Sequence, residues 1–247
     1  MADSARRGGI TRFALLLLGL AMAPANCALA LAAYDLAPAI LVRTPPFVAP
    51  EPLSLIAGYA LSTILFLVFP PWVRMYVLGH ELTHAIWGLL TGSKVGRIKV
   101  GSNGGYVQLS DPGVFTTLAP YFVPFYMAVV LLLRLIIGFF ADMSPYALHW
   151  LFLVGMAYGF HVLYTVRSLM ERQPDIREFG RVISYAIILM VNLVVFGYGI
   201  VSVTPATAGE YHQAVVRRTT QCYSLVANAA SRTAHAAMRL ADRGETR

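Results

Sequence analysis

Only two cysteines, Cys27 and Cys222, occur in the 247 residues. They are too few for a disulfide framework or a cysteine-based zinc site. The residues before Cys27 (Pro24, Ala25 and Asn26) do not form a lipoprotein cleavage site, so no lipid anchor is expected there. Lysine is equally scarce: Lys94 and Lys99 are the only two, and the net charge of +7 rests on arginines scattered between apolar runs and along the C-terminal tail. With no dense basic block and no basic stripe interleaved with aromatics, nucleic acid is excluded as the expected partner. Arginines placed at the ends of apolar segments suit lipid headgroups instead. Charge of either sign is sparse, 13% of residues against about 25% in soluble domains. No segment is large enough for an inserted soluble domain, and no internal repeat is visible.

What the chain does have is apolar sequence, 57% of its residues, in long unbroken runs rather than in the periodic pattern of a soluble core. The bilayer is therefore the expected partner and solvent, and the protein is expected to be integral and multi-pass. Arg6, Arg7 and Arg12 precede the run Phe13 to Ala33, which reads either as a signal segment or as a retained anchor. Its length favours the anchor. Pro24 and Asn26 in its middle are positioned to kink it or make it re-enter. A proline-rich connector, Pro45 to Pro52, leads to the apolar segment Leu53 to Phe69, which Pro70 and Pro71 close.

The next segment, Trp72 to Leu90, is apolar except for His80, Glu81, Thr83 and His84. Residues 91 to 113 change character: Val95, Ile98 and Val100, then Tyr106, Val107 and Leu109, flank GSNGG at 101 to 105 and predict a β-hairpin. Three more apolar segments follow: Val114 to Leu133, Tyr146 to Val166 and Val182 to Val203. The prediction is an all-α polytopic membrane protein of five to six transmembrane helices, with a small membrane-associated β-hairpin after the motif helix. It divides into an N-terminal anchor and connector (1–52), a membrane core (53–203) and a basic amphipathic tail (204–247). In the tail, Val215, Thr219, Cys222, Val226, Ala229, Thr233, Ala236 and Leu240 define one weakly apolar helix face, suited to lying on the membrane or on the protein.

His80, Glu81 and His84 belong to HELTH, a match to HExxH. Residues four apart share a helix face, so two imidazoles are presented to one metal ion. Glu81 beside them is the candidate general base. Placing a carboxylate and two histidines in one turn of a spanning helix concentrates a cost of about 2.5 to 3.5 kcal/mol for each charged group, which chance retention does not explain. One zinc ion per chain would offset that cost. A third ligand is required. The extended HExxHxxGxxH form fails, because Trp87 and Leu90 stand where Gly and His belong, and no glutamate occurs between Glu81 and Glu171.

The third ligand therefore comes from a distant segment, with Asp142, His149, His161, Glu171, Asp175 and Glu178 as candidates. If the intervening segments each cross, Asp142 and His149 emerge on the wrong side. The connector ERQPDIREFG (171–180) emerges on the same side as the exit of the HELTH helix. Asp175, after Pro174, is the expected ligand, with His161, Glu171 and Glu178 as the alternatives.

A HExxH inside a spanning helix, a glycine-rich hairpin directly after it and a later Asp at the start of another helix resemble the site-2 protease family of intramembrane zinc metalloproteases. Compact members without an inserted soluble domain are the closest in pattern. The resemblance covers roughly residues 72 to 200, carried by HELTH followed by AIWGLLTGSKV and supported by GGYV and LAPYFVP. It implies zinc, hydrolysis of a peptide bond of a membrane protein within or near the membrane, and an Asp as third ligand. The family's LDG-type motif is absent here, and QPDI at 173 to 176 is the nearest substitute. The resemblance also implies that the hairpin, with Gly104, Gly105 and Tyr106, pairs with an extended substrate, and that Asn192 helps hold it. A plain interhelical hydrogen bond is the other reading of Asn192. The expected location is the bacterial cytoplasmic membrane.

Two competing readings remain. One is a membrane metalloprotease of the prenyl-protein-processing or heat-shock type with a Glu ligand. The other is a non-catalytic metal-binding membrane protein or transporter. Oligomeric state has no signature in the sequence.

Overall fold

Proline placement sets most of the helix boundaries. The computed structural model describes residues 2–43, 49–69, 72–101 and 104–245. At the N-terminus, α1 (Ala2–Ala21), α2 (Ala23–Asp35) and α3 (Ala37–Arg43) follow one another closely. Met22 keeps helical dihedrals between the first two, and Pro24 sits in the first turn of α2, where its missing N–H costs no hydrogen bond. Thr11–Arg43 is thus one 33-residue helical stretch apolar enough to cross a membrane.

Most of the proline-rich connector lies outside the described residues. Helix α4 (Pro50–Val68) begins within its last prolines, with Glu51 in the first turn, and ends at Phe69 in extended backbone. That conformation is the one favoured ahead of Pro70. Pro70 and Pro71 lie outside the described residues.

Helix α5 (Val73–Leu90) carries HELTH. The hairpin follows as β1 (Val95–Gly101) and β2 (Gly104–Leu109), antiparallel, with Ile98 opposite Val107, Lys99 opposite Tyr106 and an irregularity between Val95 and Ile98. The predicted turn residues Ser102 and Asn103 lie outside the described residues. Next come α6 (Val114–Leu118), a 3-10 turn over Ala119–Tyr121, and α7 (Phe125–Gly138). Helix α8 (Ala147–Met170), the short α9 (Pro174–Glu178), α10 (Arg181–Val203) and the long α11 (Ala208–Glu245) complete the chain.

The structure corrects the predicted spans in two respects. Among the described residues, four helices are long and apolar enough to cross a membrane, or five if one bent pair counts as a single span. The HELTH helix α5 is not among them, because Arg74, His80, Glu81 and His84 dilute its apolar character. The segment predicted as one span from Val114 is broken. Val114–Tyr121 and Phe125–Gly138 meet at 81°, since Pro120 and Pro124 interrupt the run and cannot donate to a continuing helix. The first half packs against α5, and the two halves are long and apolar enough to cross only when taken together. No residue of α7 is buried, and Phe139 and Phe140 at its end are largely exposed. Such an apolar face suits lipid.

Helices α4 and α8 pack most extensively. A Cβ added at Gly58 would overlap the Phe152 carbonyl, and one at Gly155 would overlap the Leu55 carbonyl. The two backbones therefore lie in direct contact, the small-residue packing that membrane helices favour. One buried cluster, Leu118, Ala119, Tyr121, Phe122, Ile176, Ile183, Ile187 and Ile188, joins the 118–122 segment to α9 and α10. A second joins α2 and α3 to the start of α11 through Ala32, Leu36, Ile40, Tyr211 and Ala214. Paired charges fasten the same contact: Arg217 and Arg218 bond Asp35, and Arg43 bonds Glu210. The predicted tail helix thus lies on the protein along its first half.

Candidate metal centre

On α5 the buried positions include Val77, Glu81, His84 and Gly88, spaced by four, three and four, which is one helical face. The hairpin lies along that face. A Cβ at Gly105 would stand 2.6 Å from Val77 Cγ1 and 3.0 Å from Glu81 Cγ, and one at Gly88 would stand 2.8 Å from a Leu109 methyl. Glycine at 105 is thus what allows β2 to rest directly on the turn that carries Glu81.

His80 and His84 meet Asp175, which is presented from α9. Asp175 Oδ2 is 3.5 Å from Nε2 of each histidine, and one ligand atom from each of the three residues lies within 4.8 Å of the others. Tetrahedral zinc with bonds of about 2.0 to 2.2 Å requires ligand atoms about 3.3 to 3.5 Å apart. Two of the three separations therefore already match the geometry of a bound ion. The Asp comes to the histidines because Gln173 is extended ahead of Pro174, which opens α9, while Ile176 anchors that helix in the cluster formed by Leu118, Tyr121 and the start of α10.

The surroundings orient the ligands. His84 Nδ1 is 3.0 Å from the Thr116 carbonyl, to which only a protonated Nδ1 can donate, so Nε2 keeps its lone pair for a metal. His80 Nδ1 lies 3.3 Å from the Tyr76 hydroxyl, and its Nε2 faces Asp175. The Tyr121 hydroxyl donates to Asp175 Oδ2 at 2.9 Å, and the Tyr121 ring edge packs on His80. Burial alone would raise the Asp175 carboxyl. His80 and then His84 beside it outweigh that and hold it well below the usual carboxylate range. The donor set, two neutral imidazole nitrogens and one carboxylate, fits zinc chemically.

The cluster opens into a cavity of about 670 Å³ that Glu81, Gly104, Gly105 and Tyr106 also line. Glu171 and Glu178 line it as well but are not in the ligand cluster. The Glu178 carboxyl is pushed up by burial and then by the charge of Asp175. His161 is buried with its Nε2 unpartnered, and it lines a separate cavity of about 20 Å³ together with His80 and Thr83.

Asn192 stands apart from the cavity. Its amide donates to the Tyr121 carbonyl at 3.0 Å and to the Ile188 carbonyl at 2.8 Å, so the interhelical bond is the reading its contacts favour. Thr116 and Tyr76 carry no sequence signal for their roles. Tyr121 falls in LAPYFVP, whose prolines mark the break that brings it inward.

Compared with known protein families, with curated proteins and with solved structures, the chain shows no match.

Proposed function

We propose that this protein is an integral, multi-pass zinc metalloprotease that hydrolyses a peptide bond in or near the transmembrane segment of a membrane-protein substrate. The observation that carries the reading is the meeting of His80 and His84 with Asp175, from a distant connector, beside a buried Glu81. His80, His84 and Asp175 would hold the ion at the wall of the cavity that Glu81 also lines. Zinc bound there would supply Lewis acidity and lower the pKa of water to about 7.

Glu81 sits one residue after His80 on the face that the hairpin covers. It accepts the proton of the attacking water and delivers it to the leaving amine. The hairpin, with Gly104, Gly105 and Tyr106 lining the cavity, offers a strand edge on which an unwound substrate segment can satisfy its backbone groups where water is scarce. The bacterial cytoplasmic membrane is the compartment this reading expects.

The test is proteolysis of a membrane-protein substrate by the purified protein in detergent, with metal content measured on the same samples. Wild type is expected to bind one zinc and to cleave. Glu81→Gln is expected to keep the zinc and lose cleavage. Equal cleavage by the two proteins would remove Glu81 and the protease reading together.

A further inference from the structure

Cys27 and Cys222 are the only cysteines in the chain, they come from its opposite ends, and both are free thiols. The fold brings them together. Helix α11 runs antiparallel to the N-terminal helices, as the order of their contacts shows: Arg43 meets Glu210, Asp35 meets Arg218, and Tyr223 donates to the Ala21 carbonyl. Cys27, two turns before Asp35, and Cys222, one turn after Arg218, both fall between the last two of these contacts. The register therefore places the two side by side, and their thiols are in hydrogen-bond contact.

Their surroundings differ in a useful way. Tyr211, Ala214 and Cys222 are buried on one face of α11, and the first two pack against Ala32, Leu36 and Ile40. Cys222 ends that face, because beyond it every described side chain of α11 is exposed. Cys27 is exposed, so a reagent can reach one thiol of the pair while the other is held behind it. A bond between the two would close where the docked half of α11 gives way to the undocked half.

We propose that Cys27 and Cys222 form a redox-reactive dithiol that a small disulfide compound oxidises, closing a reversible bond that locks α11 onto α2. The Cys27 thiolate attacks one sulfur of that compound and expels one thiol. The Cys222 thiolate then attacks Cys27 Sγ and expels the second. The two cysteines give up two protons and two electrons, the compound is reduced to two thiols, and rotation of the side chains brings the sulfurs to about 2.05 Å. No residue of α2 or α11 lines the cavity of the metal cluster, so this site stands apart from the protease reading.

The experiment treats the reduced full chain in detergent with dithiodipyridine, an apolar disulfide that reaches a thiol facing either lipid or water. Remaining thiols are then alkylated and the digest is read by mass spectrometry. Wild type is expected to yield the peptide pair joined through Cys27 and Cys222, with both protected from alkylation until dithiothreitol is added. Cys222→Ser is expected to stop at the mixed disulfide on Cys27. A chain carrying Cys222→Ser and Thr220→Cys, whose thiol lies on the far side of the same helix, is expected to cross-link at least about 10-fold more slowly. Oxidised wild type is expected to exchange the amide hydrogens of residues 208–223 about 10-fold more slowly than the reduced protein. Two mixed disulfides without the joined pair, or bonds between separate chains, would overturn the proposal. So would an equal rate from position 220, which would reduce the pair to chance collision, and unchanged hydrogen exchange would remove the lock.

Discussion

The Tyr121 hydroxyl donates to Asp175 Oδ2 at 2.9 Å, across 54 residues of sequence, and the carboxylate oxygen it holds is the one that faces both histidines. Tyr121 is itself held: it is fully buried, and Asn192 donates to its carbonyl. Outer partners of metal ligands typically contribute 10- to 100-fold in affinity. Tyr121→Phe is therefore expected to bind zinc about 10- to 100-fold more weakly in a competition with a chromogenic chelator. An affinity equal to wild type would show that Asp175 needs no such support.

Asp175 separates the ligand sets directly. Asp175→Ala is expected to purify without stoichiometric zinc and without activity, whereas Glu171→Ala and Glu178→Ala are expected to keep the metal. Elemental analysis of the purified proteins reads this. Zinc retained by Asp175→Ala but lost with either glutamate would replace the assigned ligand. Stripping zinc from wild type with a chelator is expected to abolish cleavage, and re-addition is expected to restore it.

Gly105 tests the contact between hairpin and motif helix. A methyl there meets the Lys99 carbonyl and Val77 at 2.6 Å and Glu81 at 3.0 Å, so β2 has to move away from α5. Gly105→Ala is expected to cost about 1 to 3 kcal/mol of local overpacking and to reduce cleavage strongly with zinc still bound. Retained cleavage would mean that the hairpin does not need to lie on Glu81.

The Arg43–Glu210 pair makes docking of the tail helix pH-dependent. Glu210 is lowered from an ordinary 4.5 to about 2, first by Arg43 and then by the Thr207 N–H and hydroxyl. A depressed carboxylate stabilises the fold above its unfolded value and loses that contribution as pH falls through the folded one. Protection of residues 208–223 against hydrogen exchange is therefore expected to decline between about pH 4.5 and 2 in wild type. Glu210→Gln should lack this part of the decline. Because the pair is exposed, the effect should shrink in high salt. An identical pH response in the two proteins would discount the pair.

The parts of the site that were legible in the sequence are those that depend on local periodicity. HELTH places two imidazoles on one face because a helix repeats every 3.6 residues, and GSNGG between Val100 and Tyr106 marks a hairpin by its turn chemistry. Asp175 could be read only indirectly, from topology and from the proline before it. The apolar run from Val114 misled, since hydropathy counts side-chain character and takes no account of where Pro120 and Pro124 remove backbone donors.

What the sequence by itself determined is the helical, apolar character of the chain and the paired histidines with their glutamate, because both follow from residue type and near-neighbour spacing. Tertiary structure alone decided that Asp175 closes on them at 3.5 Å, that Thr116 and Tyr121 orient the ligands, and that Asn192 serves Tyr121. The contact of Asp175 with the histidines depends on the fold-back at the 81° break after Tyr121 and on Ile176 packing into the cluster with Leu118 and Tyr121. Contacts between residues far apart in sequence are set by how whole elements pack, and no local pattern encodes them.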